Sequence, residues 1–341
     1  MTAAAPVADS PAFEIAGLSV AARGHRGETA LVRGVDLTVA AGERVALVGE
    51  SGSGKSMTAL AAMGLLPRGI RRTGGEIRLA GRAIQDLDDR ALRRLRGDAI
   101  AMIFQDPMTS LNPVQTIGRQ LVEAIRLHRP VGRDAARARA AELLDRVHIP
   151  RAAARLDDYP HEFSGGMRQR VMIAMALAND PGVLIADEPT TALDVTTQAR
   201  VMAILDEVCA EAGVAVLLIT HDLGVVGAFC DRVAVMYAGE IVERAPAATL
   251  FERPRHPYTA GLLASMPPLE ADPDALTPIP GDPPDPRALP PGCVFAPRCG
   301  LADARCRAER PALIDRDDEG GAGQVSACHH ADRVDRPEVF A

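Results

Sequence analysis

The chain has 341 residues, enough for one large domain plus an appendage, and is 47% apolar but only 3% aromatic with no Trp, so aliphatic side chains must build its core. The formal net charge is −7 and no basic tract stands out, which argues against a nucleic-acid-binding surface. No apolar run approaches the length of a membrane span and Met1 to Pro11 lacks the basic and apolar segments of a secretory signal, so the expectation is a soluble, cytosolic chain that reaches a membrane only through partner subunits.

Residues 1–12 read as disordered. From Phe13 to about Gly239 short apolar runs alternate with helical stretches, which predicts an α/β fold with a mostly parallel sheet. Val45–Val48, Val183–Ala186 and Ala215–Ile219 are predicted strands, because near-continuous apolar runs of this length suit parallel strands covered on both faces. Between the first of these and a predicted helix over Met57–Leu65 lies Gly49-Glu50-Ser51-Gly52-Ser53-Gly54-Lys55-Ser56, the pattern of a phosphate-binding loop. The glycines let backbone N–H groups turn inward around phosphate oxygens, and the helix start adds the positive end of its dipole. In this pattern Lys55 reaches the β- and γ-phosphates of ATP and Ser56 ligates Mg²⁺.

From about Asp86 to His161 the composition shifts to Ala, Arg and Leu and predicts a helical subdomain inserted into the core, with Arg133–Val147 an amphipathic helix burying Leu143, Leu144 and Val147. Ser164-Gly165-Gly166 opens a further helix whose N–H groups can meet an anion. The strand Val183–Ala186 ends in Asp187-Glu188, and open α/β sheets bind ligands at the carboxyl ends of their strands. Asp187 is thereby placed to hold Mg²⁺ through water, and Glu188 to orient or deprotonate an attacking water. Prolines cluster from Pro267 to Pro297 and predict an extended, irregular segment. Of the six cysteines, Cys209 and Cys230 sit in apolar surroundings and read as core. Cys293, Cys299, Cys306 and Cys328 crowd the C-terminal stretch with spacing Cys-x5-Cys-x6-Cys-x21-Cys, which suggests a metal site more than disulfides in a cytosolic chain. Four thiolates satisfy an iron–sulfur cluster or a tetrahedral zinc.

Phe163-Ser164-Gly165-Gly166-Met167-Arg168-Gln169-Arg170 resembles the signature motif of ATP-binding-cassette transporter ATPases, with Phe163 and Met167 in place of the usual Leu and Gln. Gln105, in Met102-Ile103-Phe104-Gln105-Asp106, resembles that family's Q-loop, Thr191-Ala192-Leu193-Asp194 its D-loop, and His221 its switch histidine. The resemblance implies a P-loop core that dimerises head to tail, each signature closing on the γ-phosphate held by the other subunit. It also implies that Gln105 senses Mg²⁺ at the interface with membrane subunits, that Asp194 communicates across the dimer, and that His221 contacts the γ-phosphate. Many members stack adenine on an aromatic upstream of the phosphate loop; Val20-Ala21-Ala22-Arg23-Gly24 has none, so adenine is expected on aliphatic atoms or Arg23.

Three stretches resemble the dipeptide and oligopeptide importer branch: Phe104 to Pro113, Tyr159-Pro160-His161-Glu162-Phe163, and His256-Pro257-Tyr258-Thr259. Met167 and Gly64-Leu65-Leu66-Pro67 are similar to the first of that branch's paired ATPases. The resemblance implies a nucleotide-binding domain over residues 13–255, with its helical subdomain at about 86–161, and an irregular Cys/Pro-rich extension over 256–335. It further implies a heterodimer with a second ATPase subunit, two transmembrane permease subunits, an extracytoplasmic solute-binding protein, and a peripheral place on the cytoplasmic face of the membrane. The same branch moves nickel and other small solutes, and a non-transport cassette ATPase is the more distant alternative. Similar extensions hold a [4Fe–4S] cluster, which favours that group over zinc on Cys293, Cys299, Cys306 and Cys328; zinc with His329 or His330 substituting is the runner-up.

Overall fold

The computed structural model describes residues 10–24, 27–105, 110–191, 193–266, 278–316 and 323–334. Residues 1–9 of the segment expected to be disordered, Asp106 to Thr109 after the Q-loop glutamine, Ala192, and Pro267 to Thr277 of the proline-rich stretch lie outside them. The chain forms two compact units, Met1–Glu14, Thr38–Arg44 and Arg78–Ile219 in the first, and Ile15–Leu37, Val45–Ile77 and Thr220–Ala341 in the second. In chain order the strands used below are β1 (Phe13–Gly24), β2 (Gly27–Val39), β3 (Arg44–Val48), β4 (Ile70–Leu79), β5 (Arg82–Ala83), β6 (Ile100–Ile103), β7 (Val183–Asp187), β8 (Ala215–Thr220), β9 (Arg232–Tyr237), β10 (Glu240–Pro246), β11 (Ile314–Asp315) and β12 (Val325–Ser326).

The first unit is organised by a parallel run of β6, β7 and β8. Ile100 pairs with Val183 and Ile103 with Ala186 on one side of β7, and Val183 with Ala215 and Asp187 with Ile219 on the other. All five residues of β7 are buried, as its unbroken apolar run requires of a central parallel strand. Within the 86–161 stretch lies β6, the short apolar strand that runs into Gln105. The helices that follow are amphipathic. Ile117, Leu121 and Ile125 form the buried stripe of Ile117–His128, and Ala136, Ala140, Leu143 and Leu144 that of Arg133–Arg146; the two stripes pack on each other. Each fully buried Leu or Ile contributes roughly 1.5–3 kcal/mol. Val147 is buried as expected, but as the residue that caps the helix.

In the second unit β3 pairs parallel with β9, Val45 opposite Arg232 and Val48 opposite Val235. β10 turns back antiparallel on β9, with a register shift between Ile241 and Glu243, and β12 then pairs with β10. A separate sheet carries the order β2-β1-β4. The helix expected over Met57–Leu65 runs from Lys55 to Ala62. It ends early because Gly64, at φ 62°, closes a Schellman turn in which Leu65 N donates to Leu60 O at 2.8 Å and Gly64 N to Ala61 O at 3.0 Å.

The two ends of the C-terminal extension are tied to β10 by one buried carboxylate. Glu243, 0% exposed, accepts from Arg255 N (2.7 Å), His256 N (3.0 Å) and Gln324 Nε2 (2.9 Å). Burial raises the Glu243 carboxyl to about 7 and lowers the His256 imidazole to about 3. The two shifts act oppositely on stability. Protonating Glu243 stabilises the fold as pH falls from about 7 towards its unfolded value, whereas His256, buried neutral, loses stability as pH falls below its unfolded value. Glu243→Ala should cost about 3 kcal/mol, because three buried donors lose their acceptor. The variant should also lose stability between pH 7 and pH 5 relative to wild type, since the Glu243 offset to His256 is gone. Urea midpoints at the two pH values check both expectations.

Candidate functional site

In the second unit the turn after β3 is shaped around its glycines. Gly49 sits at φ 151°, where a Cβ would run into Met236 O, and Gly54 at φ 108°, where a Cβ would lie 2.9 Å from Leu31 O. Both conditions exclude other residues. Gly54 is the N-cap of Lys55–Ala62 and no side chain caps this helix, which leaves its start open to an anion. Lys55, 5% exposed, donates to Gly49 O at 2.6 Å and Glu50 O at 3.0 Å, so its ammonium lies inside the curve of the loop. Ser53 Oγ is buried in the same loop without a hydrogen-bond partner. A buried cation, a buried unpartnered hydroxyl and an uncapped helix start fit a polyphosphate. His221, exposed at the start of the helix-capping turn, precedes Asp222, whose carboxylate caps Leu223–Phe229.

In the first unit the parallel strands deliver their chemistry at adjacent carboxyl ends. β6 runs out into Phe104-Gln105 and β7 into Asp187-Glu188, so the two meet: Gln105 Nε2 donates to Glu188 Oε2 at 3.0 Å. Thr191 Oγ1 donates to the same oxygen at 2.9 Å. Glu188 is held at φ 46°, a left-handed conformation unfavourable for a residue with a Cβ, and its N–H is bound to Ile219 O at 2.8 Å on β8. Strain of this kind persists where the surroundings over-determine it, and functional sites concentrate it. Asp187 beside it is 5% exposed.

Ser164 is the N-cap of Gly165–Ala176, its hydroxyl accepting from Met167 N at 3.3 Å. Asp194 is the N-cap of Val195–Ala212, accepting from Thr197 N at 2.9 Å and Thr197 Oγ1 at 2.7 Å, and these bonds hold its carboxyl below the usual range. The two caps are neighbours: a Cβ on Gly166 would strike Thr197 Cγ2, and one on Gly165 would lie 3.5 Å from Leu193 Cδ2. Gly166 is therefore needed for helix packing as well as for any open N-terminus.

The four C-terminal cysteines are free thiols, near enough for the other three to bear on Cys328, but among the described residues no three of their sulfurs lie within 4.8 Å of one another. Cys293 N donates to Cys306 O at 2.8 Å, with Gly292 packed so closely on that carbonyl that no Cβ fits. Burial raises all four thiols, Cys299 to about 11 and Cys328 to about 12, and each of the other three adds to the shift at Cys328. One of them, Cys306, joins Asp303 and His330 in placing three ligand atoms within 4.8 Å of one another. Cys209 and Cys230 are buried elsewhere, as expected of core residues.

Residues 32–191 match the ABC transporter family, and residues 242–306 match the C-terminal region of oligopeptide/dipeptide transporters. A putative peptide import ATP-binding protein of Brucella abortus is 52% identical over 304 residues, 89% of this chain and 92% of that one. The chain belongs to the ABC transporter family. The oligopeptide transport ATP-binding protein OppD of Mycobacterium tuberculosis is 51% identical over 90% of this chain and 50% of its own. A dimeric ATP-binding cassette solved with ADP and Pi superposes with a TM-score of 0.62 at 29% identity, covering 69% of this chain and 98% of that one. Part of the cbiONQ ABC transporter complex of Clostridium perfringens gives 0.61 at 27% identity, over 72% and 92%. As an ABC ATPase the chain has the expected mixed α/β P-loop fold, uses ATP with Mg²⁺, and serves membrane permease subunits. Among the described residues no helix is long and apolar enough to cross a membrane itself.

Two features of this ABC ATPase were not read from its sequence. Thr191 joins Gln105 on Glu188, for which its place three residues after Glu188 was the available signal. Tyr258 and Arg298 both bond Glu50 of the phosphate loop, from 208 and 248 residues away, and no local pattern reports that.

Proposed function

We propose that this chain is the ATP-hydrolysing subunit of an importer of dipeptides or oligopeptides. The observation that carries the reading is the match of residues 242–306 to the oligopeptide/dipeptide transporter C-terminal region, on a chain with an intact phosphate loop. Lys55 and the loop amides from Gly49 to Ser56 are the groups for the β- and γ-phosphates; Asp187 and Ser56 are the residues that would hold Mg²⁺, which would supply positive charge to the transferring phosphoryl. Glu188 orients the attacking water and takes its proton, with its carboxylate fixed by Gln105 and Thr191; His221 contacts the γ-phosphate. Ser164, Gly165 and Gly166 close on nucleotide held by a second, related ATPase subunit. Asp194 communicates across that interface, where the 84% exposed Val195 offers an apolar contact. Phe104 and Val114, 40% and 79% exposed on either side of the Q-loop, supply apolar surface for the permease. An extracytoplasmic solute-binding protein delivers the peptide. The test is uptake of labelled di- and tripeptides by cells whose own copy is replaced by Glu188→Gln: peptide uptake should be lost, and loss confined to nickel accumulation would reassign the solute.

Cys293, Cys299, Cys306 and Cys328 are the proposed ligands of a [4Fe–4S] cluster. All four are free thiols, two buried and two half-buried, and a bound cationic centre would hold them as thiolates. Such a cluster would supply folding energy to a lobe with few regular elements. The Asp303, Cys306 and His330 group favours a second reading, a zinc ion held there. Anaerobically purified protein should carry iron and acid-labile sulfide with broad visible absorbance; stoichiometric zinc without iron would select the second reading.

A further inference from the structure

We infer that Arg298 and Tyr258 are positioning residues of the phosphate loop, through which the cysteine-rich lobe sets the affinity for nucleotide; the inference rests on reading that loop as the ATP site. Glu50, the second residue of the loop, is held at three points. Its carboxylate accepts a two-pronged bond from Arg298, Nη1 to Oε2 at 2.7 Å and Nη2 to Oε1 at 3.0 Å. Its N–H donates to the Tyr258 hydroxyl at 2.7 Å, and its carbonyl accepts from Lys55.

A carboxylate in an anion-binding loop is an electrostatic liability. ATP brings several negative charges to the same loop, and an unpaired Glu50 within a few ångströms would oppose them with little water to screen the repulsion. A guanidinium fork both neutralises that charge and fixes where it points. Arg298 is built for this and not for solvent. It is 8% exposed, its Nε donates to Pro280 O at 2.8 Å, Nη1 also reaches the Tyr237 hydroxyl at 3.3 Å, and its guanidinium lies 5.9 Å from the ring centres of Tyr237 and Phe295. Tyr258 is fully buried against the same two rings, at 4.5 Å and 5.5 Å. Arg298 closes the single turn Ala296–Arg298 between Cys293 and Cys299, so the fold of the cysteine lobe fixes where the fork stands. Lys55 from the end of the loop and Arg298 from the C-terminal extension thus both reach Glu50, and the loop's shape depends on both.

The experiment is titration of the purified complex with a fluorescent ATP analogue, for wild type, Arg298→Gln, Arg298→Lys, Tyr258→Phe and the Arg298→Gln/Glu50→Gln double variant, at low and moderate salt. Arg298→Gln should raise the analogue's Kd about ten-fold, more at low salt, because it frees a negative charge beside the phosphates. The double variant should recover most of the loss, Arg298→Lys part of it, and Tyr258→Phe should weaken binding a few-fold on its own. A double variant as weak as Arg298→Gln would show that the bridge only clamps the lobe, and would overturn the inference. If Arg298→Gln does not fold, unchanged binding by Tyr258→Phe overturns it instead. Equal binding by wild type and Lys55→Ala would be a different failure, that of the loop as the ATP site.

Discussion

Glu188→Gln is expected to slow ATP turnover by at least about a hundred-fold while leaving ATP binding within a factor of about two, the loss typical of removing a positioned general base. The substitution is unusually clean here. Gln105 Nε2 and Thr191 Oγ1 meet the same oxygen of the side chain, and a glutamine carbonyl in that place accepts both. The strained backbone at φ 46° is retained because its N–H remains bound to Ile219 O. What disappears is the capacity to accept a proton from water. Phosphate release and nucleotide titration on the same preparation check both halves. Hydrolysis persisting at the wild-type rate would assign the base elsewhere.

Lys55→Ala is expected to weaken ATP binding by roughly a hundred-fold, about 2.7 kcal/mol. Two losses combine. The γ- and β-phosphates lose a buried cation, and the carbonyls of Gly49 and Glu50 lose the donor that curls the loop around it. Lys55→Arg should not restore affinity, because a rigid planar fork does not reproduce the single ammonium that meets both Gly49 O and Glu50 O. Calorimetric titration with Mg-ATP measures the change; an affinity within about three-fold of wild type would contradict the role given to this side chain.

What could be read from the residues was whatever the chain writes locally. β7 and β8 are continuous apolar runs, and strand, glycine loop and helix follow one another without a break from Arg44 to Ala62, so both their type and their place at strand ends were legible. Ser164 and Asp194 were legible as helix starts because the N-cap preference acts over three residues. The pairing of β10 with β12 was obscured because it sets Glu243 opposite Ser326, far apart in sequence. The hydrogen bonds that give the site its geometry, Gln105 to Glu188 and Arg298 to Glu50, join residues 83 and 248 positions apart, and only a folded backbone specifies them.

The measurement that bears most directly on the whole account is a structure of the assembled transporter with Glu188→Gln, trapped with Mg-ATP. The account predicts ATP in the loop from Gly49 to Ser56, with its γ-phosphate also met by the Ser-Gly-Gly helix start of the opposing cassette. A γ-phosphate facing water on that side, with the two cassettes apart, would contradict it.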